Sequence, residues 1–192
     1  MDSTIITKIF PSNTEHTMLK YDIEGLWSIT LPSEAEIISN IIKKEVGEDA
    51  VIFDGTAGIG GNTISFAKNF KYVTSVELSL DRFNLLKNNI NIFNLQNINL
   101  INDNCINYLD GNYNVYFFDP PWGGPEYKYN NKVSIKLGNL NLVEIFNKIK
   151  IFTNYKFVPI FIKLPNNYDL EEFSSYNYKI NKIKNYQLIT IY

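Results

Sequence analysis

The chain has 192 residues, of which 45% are hydrophobic and 20% are charged, and its formal net charge at pH 7 is −2. This composition is that of a globular protein with a substantial core, and it argues against the strongly basic proteins that wrap a long nucleic-acid backbone. A nucleic-acid substrate that offers only a few phosphates stays compatible with it.

The sequence also limits where the protein works. Cys105 is the single cysteine, so no intrachain disulfide can form, which fits a reducing compartment. The single histidine, His16, has no Cys/His cluster around it in the sequence, and no metal site is expected. The first residues carry no basic segment followed by an apolar run, and no apolar stretch is long enough to cross a membrane. We expect an intracellular protein, cytoplasmic or nuclear, from an AT-rich genome such as that of a virus or a protist.

From residue 33 onwards, apolar strands alternate with helical patterns. Ser33 and Glu36 have the spacing of a capping box, and the isoleucines after them recur at helical intervals, which predicts a helix over 33–46. The predicted strands cover 50–54, 72–78, 98–102, 114–119 and 156–164, the further helices 62–70, 80–94 and 142–152, and the closing hairpin 177–184 and 187–192. Strands that alternate with helices form parallel sheets. We therefore predict one α/β domain with a seven-stranded, mostly parallel sheet, an antiparallel C-terminal hairpin and helices on both faces.

A glycine-rich loop, FDGTAGIGGNT, lies between the first strand and the next helix. Gly58, Gly60 and Gly61 permit a tight turn and leave the backbone open to a ligand. Glu77, at the end of the second strand, is placed to bind the two hydroxyls of a ribose. Asp54 heads the loop, and its charge suits an amino group better than a phosphate. S-adenosylmethionine, an amino acid joined to a nucleoside, fits both ends, and the alternative is a turn that binds nothing.

A third carboxylate, Asp103, follows the third strand and therefore faces the same crevice. The sequence leaves two interpretations open: Asp103 accepts a hydrogen bond from the adenine amino group of the cofactor, or it caps a short helix over 105–109. Cys105, within that helix, is predicted to be a small buried residue.

The stretch FFDPPWGGPEY follows the fourth strand, beside the glycine loop. The carboxylate of Asp119 and the carbonyl of Pro120 are two acceptors held stiffly by the prolines, and Trp122 offers a flat face for stacking a base. Acceptors that bind both hydrogens of a ring-attached amine stabilise the positive charge that develops as a methyl group arrives. Asp119 can take the released proton, although no dedicated base is required. We predict methylation of an exocyclic amine, and the alternative is a proline-rich loop with a packed tryptophan.

Four motifs of this chain occur together in one known family. KYDIEGLWSIT (20–30) is similar to the family's K-x-D-x-E-G-[WF]-[FW]-S-[VI]-T, and GIGGNTISFA (58–67) is similar to G-V-G-G-N-T-I-Q-F-A. PPWGGPEY (120–127) is similar to P-P-W-G-G-P-D-Y, and LPNN (164–167) is similar to L-P-R-N. From about Lys20 to the C-terminus the chain resembles the trimethylguanosine synthases, which are RNA cap guanine-N2 methyltransferases. The resemblance implies a Rossmann-like class I fold, S-adenosyl-L-methionine as cofactor, and a 7-methylguanosine-capped RNA or cap nucleotide as substrate. It also implies a monomer whose product is 2,7-dimethylguanosine or, after a second transfer, 2,2,7-trimethylguanosine.

The resemblance implies roles for particular residues. Residues 1–30 would cover the active-site crevice of a methyltransferase domain formed by 31–192. The implied cofactor-binding residues are Thr30, Asp54, Gly58, Gly60, Gly61, Asn62, Thr63, Glu77, Asp103 and Asp119. The implied catalytic residues are Asp119, Pro120 and Trp122, and the implied substrate-binding residues are Lys20, Pro121, Trp122, Tyr127 and Asn166. Trp122 would stack on the positively charged 7-methylguanine with a cation–π contribution of about 0.5–2 kcal/mol. Trp27 is a candidate for lining the pocket, but packing in the core is the more common fate of a tryptophan.

Two departures from the family pattern leave questions open. Asn166 stands where the family has arginine, so a charge-assisted contact to the cap phosphates is missing there. The lysines that would compensate are Lys163 and, on the loop after Trp122, Lys128, Lys132 and Lys136. Asp119 stands where the best-known members have serine, which makes the motif closer to that of the amino-directed adenine methyltransferases. Two alternatives stay open: a methyltransferase acting on adenine N6 or guanine N2 within an RNA or DNA strand, and a cap-binding module without catalysis.

Overall fold

The apolar runs of the chain form one seven-stranded sheet in a computed structural model that describes residues 3–12, 15–129, 133, 135–154 and 156–192. The strands are β1 (Val51–Asp54), β2 (Tyr72–Glu77), β3 (Ile98–Asn102), β4 (Val115–Phe118), β5 (Lys136–Leu137), β6 (Leu140–Asn141), β7 (Ile160–Pro165), β8 (Tyr178–Ile183) and β9 (Tyr186–Ile191). The α-helices are α1 (Ser3–Ile9), α2 (Ile23–Ser28), α3 (Pro32–Val46), α4 (Gly61–Asn69), α5 (Leu80–Ile92) and α6 (Leu142–Phe152). Short 3-10 helices lie at His16–Met18, Cys105–Tyr108, Pro125–Tyr129 and Leu170–Phe173.

The sheet has the strand order β3-β2-β1-β4-β7-β9-β8, with β5 and β6 paired separately. Strands β3, β2, β1, β4 and β7 are parallel, and β9 runs antiparallel between β7 and β8. The predicted α/β fold, with its seven strands and antiparallel closing hairpin, is thus confirmed. The chain builds outward from β1 to β3 and then returns to place β4 beside β1. Ligands of such sheets bind at the carboxyl ends of the strands next to this reversal.

Both faces of the sheet are buried, because the central strands alternate apolar side chains between two cores. On one face Phe53, Phe118 and Ile162 pack with α6. On the other face Phe117 and Phe161 pack with α3 and α4. Strands buried on both sides read as continuous apolar runs, which is why they could be found in the sequence. None of the helices in the described ranges is long and apolar enough to span a membrane.

The N-terminus of α3 does not form the capping box predicted for Ser33 and Glu36. Leu31 is the N-cap residue and makes no side-chain cap, and Pro32 occupies the first turn. Proline is favoured there because its missing N–H would have no helical partner anyway. Ser33 therefore lies inside the first turn, and Glu36 instead accepts hydrogen bonds from Ser65 and Asn69 on α4, at 3.2 and 3.1 Å. The strand predicted over 156–164 is also shorter at its start, since β7 begins at Ile160.

The segment before α3 packs on the glycine loop side of the sheet. Side chains of α1 and Leu19 form a core cluster with apolar residues of the loop, α4 and α5. In α2, Gly25 is the buried position, and a Cβ there would lie 2.9 Å from the Ile59 side chain. Trp27, two residues later, lies about 200° around the helix from Gly25 and is 75% exposed. The expectation that Trp27 packs in the core is therefore wrong.

Candidate active site

The glycine loop connects β1 to α4 in a conformation that glycine favours. Gly60 is the N-cap residue of α4 and has a φ of 107°, in the left-handed region that other residues adopt at a cost. Gly61 lies against the end of the N-terminal segment, where a Cβ would be 2.7 Å from the carbonyl oxygen of Thr30. The loop thus brings Thr30 to the N-terminus of α4. Gly58, Gly60, Gly61, Asn62 and Thr63 all lie on this loop or in the first turn of α4.

Glu77 closes the other side of the loop. One carboxylate oxygen accepts a hydrogen bond from the Gly58 N–H at 2.9 Å. The other accepts from the Ser79 N–H at 2.9 Å and from Nε of Arg82 at 3.3 Å. Arg82 also forms an ion pair with Glu24 of α2. Glu77 therefore lies at the carboxyl end of β2 as predicted, and it is tied to both the loop and the N-terminal segment.

Asp54 lies behind the loop and has no exposed surface. It accepts a 2.7 Å hydrogen bond from the hydroxyl of Thr63, which in turn is within 3.2 Å of the Ser75 hydroxyl. Burial raises the pKa of the Asp54 carboxyl to about 7, and the nearby carboxylates of Asp119 and Glu77 add to the rise. In this conformation Asp54 does not face the crevice, so its expected contact with an amino group stays a prediction.

Asp119 is the centre of a polar cluster at the carboxyl end of β4. Its Oδ2 accepts hydrogen bonds from Nζ of Lys163 at 2.8 Å, the Thr30 hydroxyl at 3.0 Å and Nδ2 of Asn62 at 3.4 Å. Its backbone N–H donates to the Thr56 hydroxyl at 2.6 Å. Among the described residues, Oδ1 of Asp119 receives no hydrogen bond. One oxygen of the carboxylate is therefore fixed and the other is left as an acceptor.

Asn62 contributes a second acceptor at the same place. Its Nδ2 donates to the Thr30 hydroxyl at 2.9 Å, while its Oδ1 is buried and has no partner among the described residues. An unpaired buried carbonyl oxygen costs about 1–3 kcal/mol, and a ligand that brings an N–H donor would remove this cost. The residues present thus fit a ligand with an amino or ammonium group at the N-terminus of α4.

Trp122 lies partly buried beside this cluster. Its ring N–H donates to the backbone oxygen of Lys163 at 3.2 Å, and the Lys163 Nζ lies 5.5 Å from the ring centroid. The ring of Tyr127 meets it edge-on, with 5.1 Å between centroids. Pro120 is buried and Pro121 is exposed. Asp119, Pro120 and Trp122 are therefore brought together next to the glycine loop, as the sequence predicted.

Lys20 and Asn166 are two of the residues that the resemblance implies for substrate binding, and both have exposed side chains. Lys20 is exposed, and its backbone N–H and carbonyl are both bound by the side chain of Asn89, each at 2.9 Å. Asn166 is exposed and makes a 3.5 Å contact from Nδ2 to the Lys184 carbonyl. Asn167 donates to the carbonyl of Tyr127 at 3.0 Å and so anchors the aromatic loop to the end of β7.

The lysines proposed to replace the missing arginine lie in different environments. Lys163 is buried and paired with Asp119, so it is not available for a phosphate, and that suggestion is wrong. Lys128 and Lys136 are exposed, and Lys132 lies outside the described residues.

Asp103 makes local contacts at the end of β3. Its carboxylate accepts from the backbone N–H of Asn104 at 2.6 Å and from the hydroxyl of Tyr108 at 3.0 Å, and these hydrogen bonds lower the pKa of Asp103. The cap of the 3-10 helix that follows is Asn104, not Asp103. Cys105 is buried as predicted, and burial raises the pKa of its thiol to about 12.

Sequence reasoning missed two residues that hold this site together and gave a third, Lys163, the wrong contact. Lys163 lies in the apolar run PIFIKLP, and no local pattern shows that its partner is Asp119 at the end of β4. Asn89 and Arg82 lie within an asparagine-rich helix and tie the N-terminal segment to the site. Their partners are distant in the sequence, and no local pattern marks them.

A model of the RNA cap guanine-N2 methyltransferase family matches residues 49–191. The chain belongs to this family. The uncharacterized protein L320 of Acanthamoeba polyphaga mimivirus is 34% identical over 91% of this chain and 79% of that protein, which fits a viral member. A trimethylguanosine synthase of Saccharomyces cerevisiae is 29% identical over 83% of this chain and 53% of that protein. That of Schizosaccharomyces pombe is 27% identical over 91% of this chain and 77% of that protein. The resemblance found in the four motifs is confirmed.

Solved structures of methyltransferases share the fold. A methyltransferase from Geobacter sulfurreducens superimposes with a TM-score of 0.63 at 11% identity, covering 85% of this chain and 80% of that chain. The 16S rRNA N2 G1207 methyltransferase of Thermus thermophilus, solved with AdoMet and guanosine, gives a TM-score of 0.60 at 14% identity, covering 90% and 43% of the two chains. The class I methyltransferase fold predicted for this family member is therefore confirmed.

Proposed function

We propose that this protein is an S-adenosylmethionine-dependent enzyme that methylates the guanine N2 of 7-methylguanosine caps. The observation that carries the proposal is the Asp119 carboxylate, held by one oxygen beside the glycine loop and next to Trp122 in a chain of the cap guanine-N2 methyltransferase family. Family membership supports the chemistry, and Oδ1 of Asp119, which accepts no hydrogen bond within the described ranges, supplies the acceptor that an exocyclic amine requires.

The cofactor's place follows from the loop. When bound, S-adenosylmethionine supplies a sulfonium-linked methyl group that is open to attack by an amine. We expect the cofactor's ammonium group to bind Oδ1 of Asn62, which has no partner among the described residues, and the ribose hydroxyls to bind Glu77 at the end of β2. A Cβ at Gly58 would have nothing within 4 Å, so the backbone of the loop is open there and the cofactor can approach it.

The acceptor amine belongs at the end of β4. Oδ1 of Asp119 and the carbonyl of Pro120 can accept the two hydrogens of N2, which leaves the nitrogen lone pair directed away from them. Asp119 or water would accept the proton that the amine loses after it has received the methyl group. A preorganised acceptor stabilises the positive charge on nitrogen in the transition state, an effect worth about 3 kcal/mol when one such group is removed from other enzymes.

Trp122 would hold the base in place. A 7-methylguanine carries a positive charge, and stacking on an indole adds about 0.5–2 kcal/mol for such a cation. The ring is already oriented by its hydrogen bond to the Lys163 carbonyl and by Tyr127, so little conformational entropy is lost on binding.

Residues 1–30 are proposed to be part of the site and not a separate unit. Thr30 donates directly to Asp119, and Lys20 is clamped by Asn89 close to Ile59 of the loop. Lys20, Tyr127 and the exposed Asn166 are proposed to lie along the path of the cap phosphates. We propose that the enzyme acts as a monomer inside the cell.

The test is transfer of a labelled methyl group from S-adenosylmethionine to three acceptors: 7-methyl-GTP, GTP and an adenine-containing oligonucleotide. We expect transfer to 7-methyl-GTP alone, with the mass of the product giving the number of methyl groups. Asp119→Ala and Trp122→Ala should each lose most of the activity. Transfer to the oligonucleotide instead would replace the cap assignment by a strand-directed amine methyltransferase. Binding of 7-methyl-GTP without any transfer would indicate a cap-binding module.

A further inference from the structure

The ion pair between Lys163 and Asp119 is buried beside the proposed acceptor site. The Lys163 side chain is 6% exposed and that of Asp119 13%, with 2.8 Å between Nζ and Oδ2. The pairing follows from the sheet, because Phe118, the last residue of β4, lies opposite Ile162 of β7, and the next residues along the chain are Asp119 and Lys163. On β7 the neighbours Ile162 and Leu164 point into one core, while the Lys163 side chain lies on the other side, against the Thr30 hydroxyl and the ring of Tyr186.

Stability alone is a weak reason for such a pair. Removing a lysine and a carboxylate from water costs several kcal/mol per ion, and an apolar pair of similar size is often as stable or more stable. Lys163 offsets part of this cost by a 2.8 Å hydrogen bond to the Thr30 hydroxyl and by the rings of Tyr186 and Trp122, whose centroids lie 4.6 and 5.5 Å from Nζ. The pair has a consequence that an apolar pair would not have, which is the orientation of the carboxylate.

The three donors on Asp119 all meet the same oxygen. Lys163, Thr30 and Asn62 donate to Oδ2, and Oδ1 receives no hydrogen bond from the described part of the chain. Lys163 makes the shortest of these three contacts and the only one that carries a full charge. The rotation of the carboxylate is therefore set chiefly by Lys163.

The same residue also orients the aromatic ring. The backbone carbonyl of Lys163 accepts the ring N–H of Trp122, while its side chain holds Asp119. Lys163 thus fixes both the orientation of the ring on which a base would stack and the position of the oxygen that would accept the hydrogens of its amine.

We propose that Lys163 is a positioning residue that holds Oδ2 of Asp119 and so presents Oδ1 to the acceptor amine. This inference rests on the proposed methyl transfer to an exocyclic amine, and it adds the residue that fixes the acceptor geometry. Because the carbonyl that holds Trp122 belongs to the backbone, replacing the Lys163 side chain should disturb the amine acceptor and leave the stacking ring in place.

The experiment compares Lys163→Met, Lys163→Arg, Asp119→Asn and the double variant Asp119→Asn/Lys163→Met with the wild type. We expect Lys163→Met to lower kcat by about 30-fold or more, the scale for loss of one preorganised group, with KM for 7-methyl-GTP within about threefold. Lys163→Arg keeps the charge and should recover part of the loss in kcat. In the double variant, loss of the lysine should lower kcat by no more than about threefold beyond Asp119→Asn, because Lys163 acts through Asp119. Lys179→Met, which breaks the exposed pair of Lys179 with Glu45, is the matched control and should keep the wild-type rate.

Three results would overturn the inference while the wild type stays active on 7-methyl-GTP. They are a kcat of Lys163→Met within about threefold of the wild type, a raised KM at unchanged kcat, or a double variant whose loss equals the product of the two single losses. If Lys163→Met does not fold, as judged by its melting temperature and S-adenosylmethionine binding, Lys163→Arg and the double variant decide between the same outcomes. A wild type that methylates no amine would instead refute the proposed function, and the inference would fall with it.

Discussion

Replacing Asp54 with asparagine should remove a large part of the pH dependence of the stability of this fold. Asp54 has no exposed surface, and burial raises the pKa of its carboxyl from 3.8 to about 7. Asparagine has nearly the same shape, and its amide oxygen can keep the hydrogen bond from Thr63. The substitution therefore removes the titration while changing the packing little.

The sign and size of the effect follow from the two pKa values of Asp54. The unfolded chain releases this proton near pH 3.8, whereas the folded protein holds it until about pH 7, so the folded state binds more protons in between. The stability associated with protonated Asp54 is thus complete below about pH 4 and is lost as pH rises towards 7. The raised pKa of Asp54 lowers the free energy of unfolding by about 2 kcal/mol at pH 5 and by about 4 kcal/mol at pH 8, because the unfolded chain can ionise this carboxyl and the folded one resists it.

Urea denaturation of the wild type and Asp54→Asn at pH 5, 6, 7 and 8 measures this difference. The free energy of unfolding of the variant relative to the wild type should rise by about 2–3 kcal/mol from pH 5 to pH 8. Asp49→Asn, the same substitution at an exposed position, is the control and should give a curve parallel to that of the wild type. If the free energies of unfolding of the wild type and Asp54→Asn changed with pH in parallel, the argument that burial raises the pKa of Asp54 would be refuted.

Three further predictions concern the site and its support. Asn62→Ala removes an acceptor, Oδ1, that has no partner in the described part of the chain, and it should raise the dissociation constant for S-adenosylmethionine by about 5- to 30-fold in calorimetric titrations. An unchanged constant would place the ammonium group elsewhere. Asn89→Ala leaves the part-buried backbone groups of Lys20 and the buried carbonyl of Ile59 without their side-chain partner and should lower the free energy of unfolding by about 2–3 kcal/mol in urea. A loss below about 0.5 kcal/mol would mean that water replaces the side chain. Trp122→Phe keeps a flat ring but loses the hydrogen bond to the Lys163 carbonyl, so KM for 7-methyl-GTP should rise by about 3- to 10-fold, less than in Trp122→Ala. Equal KM values for the two Trp122 variants would argue against stacking.

The sheet could be predicted from the sequence because its signals are local. Runs such as 114–119 and 187–192 are apolar enough to be recognised as buried strands, and the glycines after β1 mark the turn that precedes α4. When neighbouring strands are parallel, their carboxyl ends lie at the same edge of the sheet. Glu77, Asp103 and Asp119 lie at this edge in the structure. Hydrophobic periodicity and topology together therefore placed most of the candidate site.

The parts that could not be predicted depend on contacts between distant residues. Lys163 and Asp119 are 44 positions apart and meet only because β4 and β7 are neighbours, so the sequence suggested a phosphate contact for a lysine that is buried. Trp27 is exposed because Gly25 lies on the buried face of α2. The side chain of Ile59 approaches α2 so closely there that a residue larger than glycine would not fit. The cap of α3 was misplaced because Pro32 starts the helix one residue before the expected serine.

The position of Thr30 has a consequence for how the enzyme is made. Thr30 is hydrogen-bonded to Asp119 and to Lys163, which lie 89 and 133 positions further along the chain. Contacts with such large sequence separations form late, because a long loop must close before they are gained. During synthesis, Thr30 leaves the ribosome before β7 does, so the acceptor site is complete only after β7 has joined the sheet. We expect a nascent or partly folded chain to have no methyl-acceptor geometry until the sheet is nearly finished.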